Sequence, residues 1–193
     1  MRISLWWLFA LPIFLNGCGS SAQSDELYHR GLERRIDMTG MTFYNDGAIP
    51  IECTCWGSQQ SPALFFANNI TGALSYALTM TGPLPADAAP TDSTNLIVYN
   101  LPVRPDRVPS GLTAAKARQL GAVLGRNGQG RAAYWAPCPA PGRQPYLFRM
   151  YALNKMLPTD SPLDRAGLLT AMRGHILAYG ELRGYVYAAK KQP

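Results

Sequence analysis

The chain has 193 residues, of which 47% are hydrophobic, and its formal net charge is +6. This length and composition exclude a disordered chain and a miniprotein held together by disulfides or metal, because a domain of this size can bury its own core. The 18 glycines and 16 prolines indicate many turns between short elements, which favours a β-rich fold over a helical bundle.

The first seventeen residues have the pattern of an export signal. Arg2 supplies a positive start, and an apolar run of thirteen residues follows it from Ile3 to Leu15. A helix that spans a bilayer needs about 20 apolar residues, so this run is predicted to be the core of a signal peptide and not a membrane anchor. We therefore predict a signal peptide over residues 1–17, a tether over residues 18–27 and a single domain over residues 28–193.

The end of this signal, Leu15-Asn16-Gly17-Cys18, resembles the cleavage site of bacterial lipoproteins. The resemblance implies that Cys18 becomes the first mature residue and carries lipid, which would anchor the domain to the bacterial envelope. Gly19 is not the aspartate that favours inner-membrane retention in similar enterobacterial lipoproteins, so we expect the periplasmic side of the outer membrane. A plain secretory signal with an incidental cysteine is the alternative.

The charge of the mature chain bears on its partners. Loss of Arg2 leaves 17 basic residues against 12 acidic ones. An exported protein rarely meets nucleic acid, so we expect no nucleic-acid partner. The positive balance suits an anionic membrane surface, an anionic ligand or an acidic partner protein, although scattered Lys and Arg on a solvated surface explain it more simply.

Three cysteines remain once Cys18 is assigned to lipid, and they are Cys53, Cys55 and Cys138. Thiols can pair outside the cytoplasm, and an odd count predicts one disulfide with one free thiol. The C-x-C spacing of Cys53 and Cys55 differs from the C-x-x-C spacing of redox motifs, so a structural role is favoured over redox chemistry.

The predicted elements are short and separated by loops rich in Gly and Pro. Thr71–Met80 predicts a strand, since Leu74, Tyr76, Leu78 and Met80 alternate on one side. Thr94–Pro102 predicts a buried strand because it is rich in β-branched and aromatic residues. Pro145–Leu153 predicts a third strand.

Two helices are predicted in the second half of the chain. Leu112–Gly125 predicts a short one with Thr113 as its N-cap. Ser161–Gly180 predicts the better one, with Ser161 as its cap and Leu177 and Tyr179 on its buried face. This interpretation places His175 inside the helix, and Gly184–Ala189 then predicts a last short strand.

Six segments, taken in order, resemble the bacterial branch of the phosphatidylethanolamine-binding protein family, also called the Raf-kinase-inhibitor-like family. They are IPIECTCWGSQQSPALFF (49–66), SYALTM (75–80), NLIVYNLP (95–102), NGQGRAAYWAPCPAPG (127–142), YLFRMYALN (146–154) and AMRGHILAYGELRGYVY (171–187). The resemblance covers about residues 41–187 and implies a mainly β fold, a β-sandwich with Greek-key features and one or two peripheral helices near the C-terminus.

The resemblance also implies a small anion pocket near the surface, where imidazoles and backbone donors held by prolines face an oxyanion. Carried over residue by residue, the ligand-binding positions are Asn95, Tyr134, Pro137, Gln144 and Tyr146. Asn95 and Gln144 stand where the family has histidines, whereas Gly82 and Leu84 stand where it has aspartates. The same resemblance implies that Cys138, at the pocket rim, pairs with Cys53 or Cys55.

These substitutions predict a degenerate pocket. Asn and Gln side chains still form hydrogen bonds, but they carry no charge and do not titrate near neutrality. We therefore expect the pocket to bind a neutral polar group or to bind nothing. With His29 and His175 as its only histidines, the chain offers no complete catalytic constellation, and we expect no metal and no cofactor.

The sequence therefore predicts a membrane-anchored, non-catalytic binding protein. Its partners would be a lipid anchor at the membrane and a small anionic or polar ligand. The alternative is a protein-interaction or inhibitor module of the cell envelope, in which the pocket is vestigial and an envelope protein binds the outer surface.

Overall fold

A computed structural model describes residues 31–32, 36–67, 69–83, 92–104 and 106–188. The predicted signal peptide, Cys18, His29 and Leu84 lie outside the described residues. Within the described ranges, no helix is both long enough and apolar enough to cross a membrane.

Nine strands and two α-helices make up the described fold, together with one turn of 3₁₀-helix at Ile51–Cys53. The strands are β1 (Met38–Gly40), β2 (Gly47–Ala48), β3 (Leu64–Phe66), β4 (Ser75–Thr81), β5 (Thr94–Leu101), β6 (Arg107–Val108), β7 (Val123–Leu124), β8 (Gly142–Leu153) and β9 (Ile176–Ala188). The helices are α1 (Ala114–Gln119) and α2 (Arg165–Met172).

The strands form two sheets. The larger sheet has the strand order β2-β9-β8-β4-β5-β7, and the smaller one has the order β1-β3-β6. All pairs are antiparallel except β2 with β9. The mainly β architecture with few helices, as predicted, is confirmed.

The larger sheet is buried on both faces, because alternate residues of its central strands enter two different clusters. Tyr76, Leu78 and Met80 of β4 belong to the cluster that contains Leu64 and Phe66 of the smaller sheet. On the other face, residues of the larger sheet pack against α2. These are Ala77, Ile97, Tyr99, Tyr151 and Leu153, and they contact the cluster that holds Leu168, Leu169 and Met172.

The predicted helix over Ser161–Gly180 is wrong in its extent and in its cap. The helix is α2, and Asp164 caps it by accepting a hydrogen bond of 2.8 Å from the amide of Gly167. It ends at Met172, since Gly174 adopts a φ of 76° and reverses the chain. Leu177 and Tyr179 therefore lie in β9 and not on a helix face.

Pairing with β8 explains why this segment is a strand. The two strands pair from Gly142 opposite Ala188 to Leu153 opposite Ile176. The full set of ladder hydrogen bonds outweighs a weak helical periodicity.

Two smaller predictions also need correction. Leu74 precedes β4 and is 60% exposed, so it does not share the buried side of Tyr76. Helix α1 begins at the predicted cap, where the Thr113 side chain accepts a hydrogen bond from the amide of Lys116. However, it ends at Gln119, because Gly121 has a φ of 76° and β7 then pairs with β5.

Candidate functional site

Asn95 is the extra residue of a β-bulge. Met80 of β4 pairs with Leu96 of β5 and the next residue, Thr81, pairs with Thr94, which leaves Asn95 without a cross-strand partner. A bulge re-aims the side chain that it carries. The buried Asn95 amide donates through Nδ2 to the carbonyl of Trp135 at 2.8 Å. Its Oδ1 has no hydrogen-bond partner among the described residues.

The loop over residues 134–138 is held to the rest of the molecule on two sides. On one side, the amide of Trp135 donates to the carbonyl of Asn95 at 2.8 Å. On the other side, the Tyr134 hydroxyl donates to the carbonyl of Cys53 at 2.7 Å. The amide of Cys55 also donates to the carbonyl of Pro137 at 3.0 Å. Hydrogen bonds on both sides therefore hold this loop in place.

A disulfide joins Cys138 to Cys55 and completes this attachment. Of the two partners that the sequence left open, the structure selects Cys55. Cys53 is a free, buried thiol, and burial raises its pKa to about 11. Cys55 is thus oriented toward the loop over residues 134–138, whereas the side chain of Cys53 packs in the hydrophobic core.

Tyr146 fills the space beside Gly82. Its ring lies so close to the Gly82 backbone that a Cβ added there would be 2.1 Å from the Cε1 atom of Tyr146. A carboxylate at position 82, as in the family pattern, could not occupy this place without moving the ring. The ring of Tyr146 therefore occupies the space that a side chain at position 82 would need in this chain.

Tyr134 and Tyr146 remain neutral throughout the physiological pH range. Burial is the main cause that raises the pKa of each phenol above its usual value, and the nearby Cys53 and then Tyr146 raise the pKa of Tyr134 further. Both hydroxyls can therefore donate hydrogen bonds, and neither supplies charge to a ligand.

Gln144 lies two residues before Tyr146 in β8 and is half-buried, opposite Val186 of β9. Alternation along the strand places it on the same face as Tyr146. The described contacts link Asn95, Tyr134 and Pro137 through one loop and bring Tyr134 near Tyr146. Gln144 lies near the N-terminal end of β8, the strand that contains Tyr146.

Tyr134 also lines a cavity of about 450 Å³ that the sequence did not predict. Gln59, Gln60, Ser61, Thr113 and Lys116 contribute its polar lining. Ser61 Oγ accepts a hydrogen bond of 2.8 Å from the amide of Leu112, and Lys116 Nζ donates to the carbonyl of Gly111 at 3.0 Å. Ser61, which matches the family pattern, thus connects two loops. In the sequence, only that match could have indicated a role for this serine.

His175 has a structural position. Its Nδ1 lies 3.0 Å from Oδ1 of Asn154, and its carbonyl accepts from the amide of Asn154. These bonds join the end of β8 to the start of β9. In the part of the chain that the structure describes, no group of three His, Cys, Asp or Glu side chains could hold a metal ion.

Comparison with known proteins agrees with this geometry. A family profile described as "Phosphatidylethanolamine-binding protein" matches residues 39–188. A UPF0098 protein of Chlamydia muridarum is 35% identical over 151 residues, which is 77% of this chain and 97% of the relative. A UPF0098 protein of Methanothermobacter thermautotrophicus is 33% identical over 142 residues, which is 73% of this chain and 92% of the relative.

Solved structures show the same architecture. A phosphatidylethanolamine-binding protein homologue of Chlamydia trachomatis superposes with a TM-score of 0.70 at 30% identity, covering 83% of this chain and 100% of the other. YbcL of Escherichia coli superposes with a TM-score of 0.68 at 24% identity, covering 79% of this chain and 98% of the other, which concerns the fold alone. By its profile match and its relatives, the chain belongs to the phosphatidylethanolamine-binding protein family.

Proposed function

We propose that this chain is a lipid-anchored, non-catalytic binding protein of the bacterial envelope, whose pocket takes a neutral or donor-bearing polar group in preference to a bare anion. The observation that carries the proposal is the side chain of Asn95, which is 5% exposed and keeps Oδ1 unpaired among the described residues. The anchor is inferred from the lipoprotein-like site at Cys18.

The orientation of the Asn95 amide is set by its surroundings. Nδ2 faces the carbonyl of Trp135 at 2.8 Å, so a flipped amide would place two acceptors against each other. Oδ1 is therefore the free atom. A buried acceptor left without a partner costs about 1–3 kcal/mol, and a ligand that displaces the groups covering Oδ1 and supplies an N–H or O–H group would recover this free energy.

A bare phosphate dianion gains little here. Most of its oxygens are unprotonated and are acceptors, as Oδ1 is, and Asn95 and Gln144 supply no positive charge. A neutral hydrogen bond contributes about 1 kcal/mol, against about 1.5–3 kcal/mol for one to a charged group. Two amides in place of two imidazoliums should therefore weaken anion binding by roughly 10- to 100-fold, on those same values.

An NMR titration tests the proposal. The chain over residues 18–193, with Cys18→Ser for solubility, is titrated with inorganic phosphate, phosphoethanolamine, ethanolamine and glycerol. We expect shifts at Asn95, Tyr134, Gln144 and Tyr146 with the ligands that carry an amine or an alcohol hydroxyl, and weaker shifts with inorganic phosphate. Absence of shifts with all four compounds would contradict a working pocket and would favour the envelope-protein interaction module.

A gain-of-function variant gives a second test, and a surface variant serves as its control. Asn95→His with Gln144→His restores imidazoles, so phosphate affinity should rise about 10- to 100-fold, most strongly below the imidazole pKa of about 6.5. Gln119→His adds an imidazole at an exposed position on α1 and should leave phosphate affinity unchanged. Equal gains in both proteins would show that added charge, and not this pocket, binds phosphate.

A further inference from the structure

An apolar groove of about 330 Å³ lies between the smaller sheet and the end of α1. None of the five predicted pocket residues lines it. Its walls include Met41, Leu64, Phe65, Val108 and Leu120. Met41 is 67% exposed and Phe65 is 38% exposed, so two large apolar side chains on adjacent elements face solvent at one place.

Positive charge borders this groove. Arg107 of β6 lines it directly and lies opposite Phe65 in the sheet. The segment 104–120, which contains β6 and α1 and ends at Leu120 in the groove wall, carries three further exposed cations: Arg104, Lys116 and Arg118. Asp106 is the only acidic residue in that segment, so four cations against one acid leave it with a charge of +3.

The position of the groove along the chain relates it to the anchor. β1 runs from Met38 to Gly40 and leads straight to Met41, and Cys18 precedes Met38 by 20 residues. An extended chain spans at most about 3.3–3.6 Å per residue. The tether therefore lets the domain reach the anchoring bilayer but does not fix which face meets it.

We propose that the face defined by Met41, Phe65 and Arg107 docks on the anionic phospholipid surface that holds the anchor. Met41 and Phe65 enter the interfacial region, while Arg107 and the flanking cations lie against lipid phosphates. Each Lys or Arg near an anionic surface is worth about 1 kcal/mol, which is a factor of about five in the docking equilibrium. The inference rests on the proposed lipid anchor for its context, and docking orients the domain that the anchor retains.

Hydroxyl-radical footprinting of the mature lipidated protein tests the proposal in phosphatidylcholine vesicles with and without phosphatidylglycerol. We expect oxidation of Met41 and Phe65 to fall several-fold on the anionic vesicles and to recover in high salt. Met156 is 53% exposed and lies outside the groove, so its oxidation should not change. If the oxidation of Met41, like that of Met156, is the same on both kinds of vesicle, the proposal is overturned.

Paired charge variants separate this face from the rest of the surface. Arg107→Gln should lower the docking equilibrium constant about fivefold and so reduce the protection of Met41. Arg143→Gln removes the same charge from an exposed arginine that stacks on Tyr185 of the larger sheet, and it should leave the protection unchanged. Equal losses from both variants would show that net charge alone attracts the domain.

The footprint also distinguishes docking from anchoring. A lipidated protein that sediments with vesicles but keeps Met41 reactive would contradict docking and leave the proposed anchor intact. A chain that carries no lipid would contradict the anchor. In that case, the Cys18→Ser protein over residues 18–193 at high vesicle concentration supplies the test, and protection of Met41 on anionic vesicles would support docking by itself.

Discussion

Cys53 and Cys55 are two residues apart, yet their side chains lie in different surroundings. Cys55 follows the 3₁₀ turn, and its sulfur bonds to Cys138, 83 residues further along the chain. Cys53 is the last residue of that turn, 6% exposed, and belongs to the hydrophobic core. The backbone leaves the 3₁₀ turn at Thr54, which is extended, and only Cys55 reaches the loop over residues 134–138.

The alkylation rate of Cys53 is the first prediction. Burial raises the pKa of this thiol from 9.0 to about 11, so near pH 8 its thiolate fraction falls about 100-fold, at tenfold per unit. Native, non-reduced protein should therefore react slowly with iodoacetamide at Cys53, faster as the pH approaches 11, and rapidly once denatured. The thiol's contribution to stability is present below pH 9 and is lost as the pH rises toward 11, because the unfolded thiol ionises first.

Peptide mapping of the same samples checks the pairing. Denatured but non-reduced protein should be alkylated at Cys53 and should yield a Cys55–Cys138 cross-linked peptide. Alkylation of Cys55 or Cys138 before reduction would show that the disulfide is assigned to the wrong residues.

At the scale of elements, β9 decides how the N-terminal segment meets the larger sheet. The amide of Ile36 donates to the carbonyl of Tyr179, and the segment crosses directly over Gly180. A Cβ at position 180 would lie 2.1 Å from the carbonyl oxygen of Ile36. Glycine is thus required here by the approach of another backbone, and not by an unusual φ.

The substitution Gly180→Ala is the second prediction. The backbone of Ile36 must move to accommodate the methyl group, so we expect a loss of about 1–3 kcal/mol in the free energy of unfolding, measured in urea. Gly167→Ala in α2 is the matched control, since its nearest contact is a side-chain atom, Oδ1 of the capping Asp164 at 3.2 Å, and not another backbone. The control should be neutral or stabilising by up to about 1 kcal/mol. A Gly180→Ala protein as stable as the control would refute the close approach.

At the scale of the whole molecule, the proposed anchor and the folded domain have separate roles. The domain carries the family fold, whereas the proposed anchor in residues 1–18 would govern where it resides. The pattern of the first seventeen residues and the lipoprotein-like site at Cys18 are the basis for the proposed export and lipidation.

The substitution Cys18→Ser is the third prediction. Without the lipidated cysteine, we expect the full chain to accumulate unprocessed and to lose its lipid label, as seen by metabolic labelling with a fatty acid. Gly19→Asp provides the control, because it should be processed and labelled normally and should fractionate with the inner membrane. Unchanged processing and membrane association of the Cys18→Ser chain would refute the lipoprotein-like site.

Part of the candidate site could be predicted because it is encoded locally. Tyr134, Pro137 and Tyr146 were found from motifs in contiguous segments, and the replacement of histidines by Asn95 and Gln144 is a property of the sequence itself. The bulge that holds Asn95 could not be found in this way, because it depends on the register between β4 and β5. The same holds for the ring of Tyr146 against Gly82, two residues that lie 64 positions apart in the chain.

The sequence by itself determined the β-rich class, the strands β4, β5 and β8, the cap of α1 and the family to which the chain belongs. Each depends on the order of neighbouring residues, through alternation, turn chemistry or a contiguous motif. Only the tertiary structure decided that the predicted last strand begins at Ile176, that Cys55 and not Cys53 pairs with Cys138, and that Met41 and Phe65 share a groove. These features arise from hydrogen-bond register and packing between distant segments, whose free energies compete with local preference and are not encoded in any single stretch of the chain.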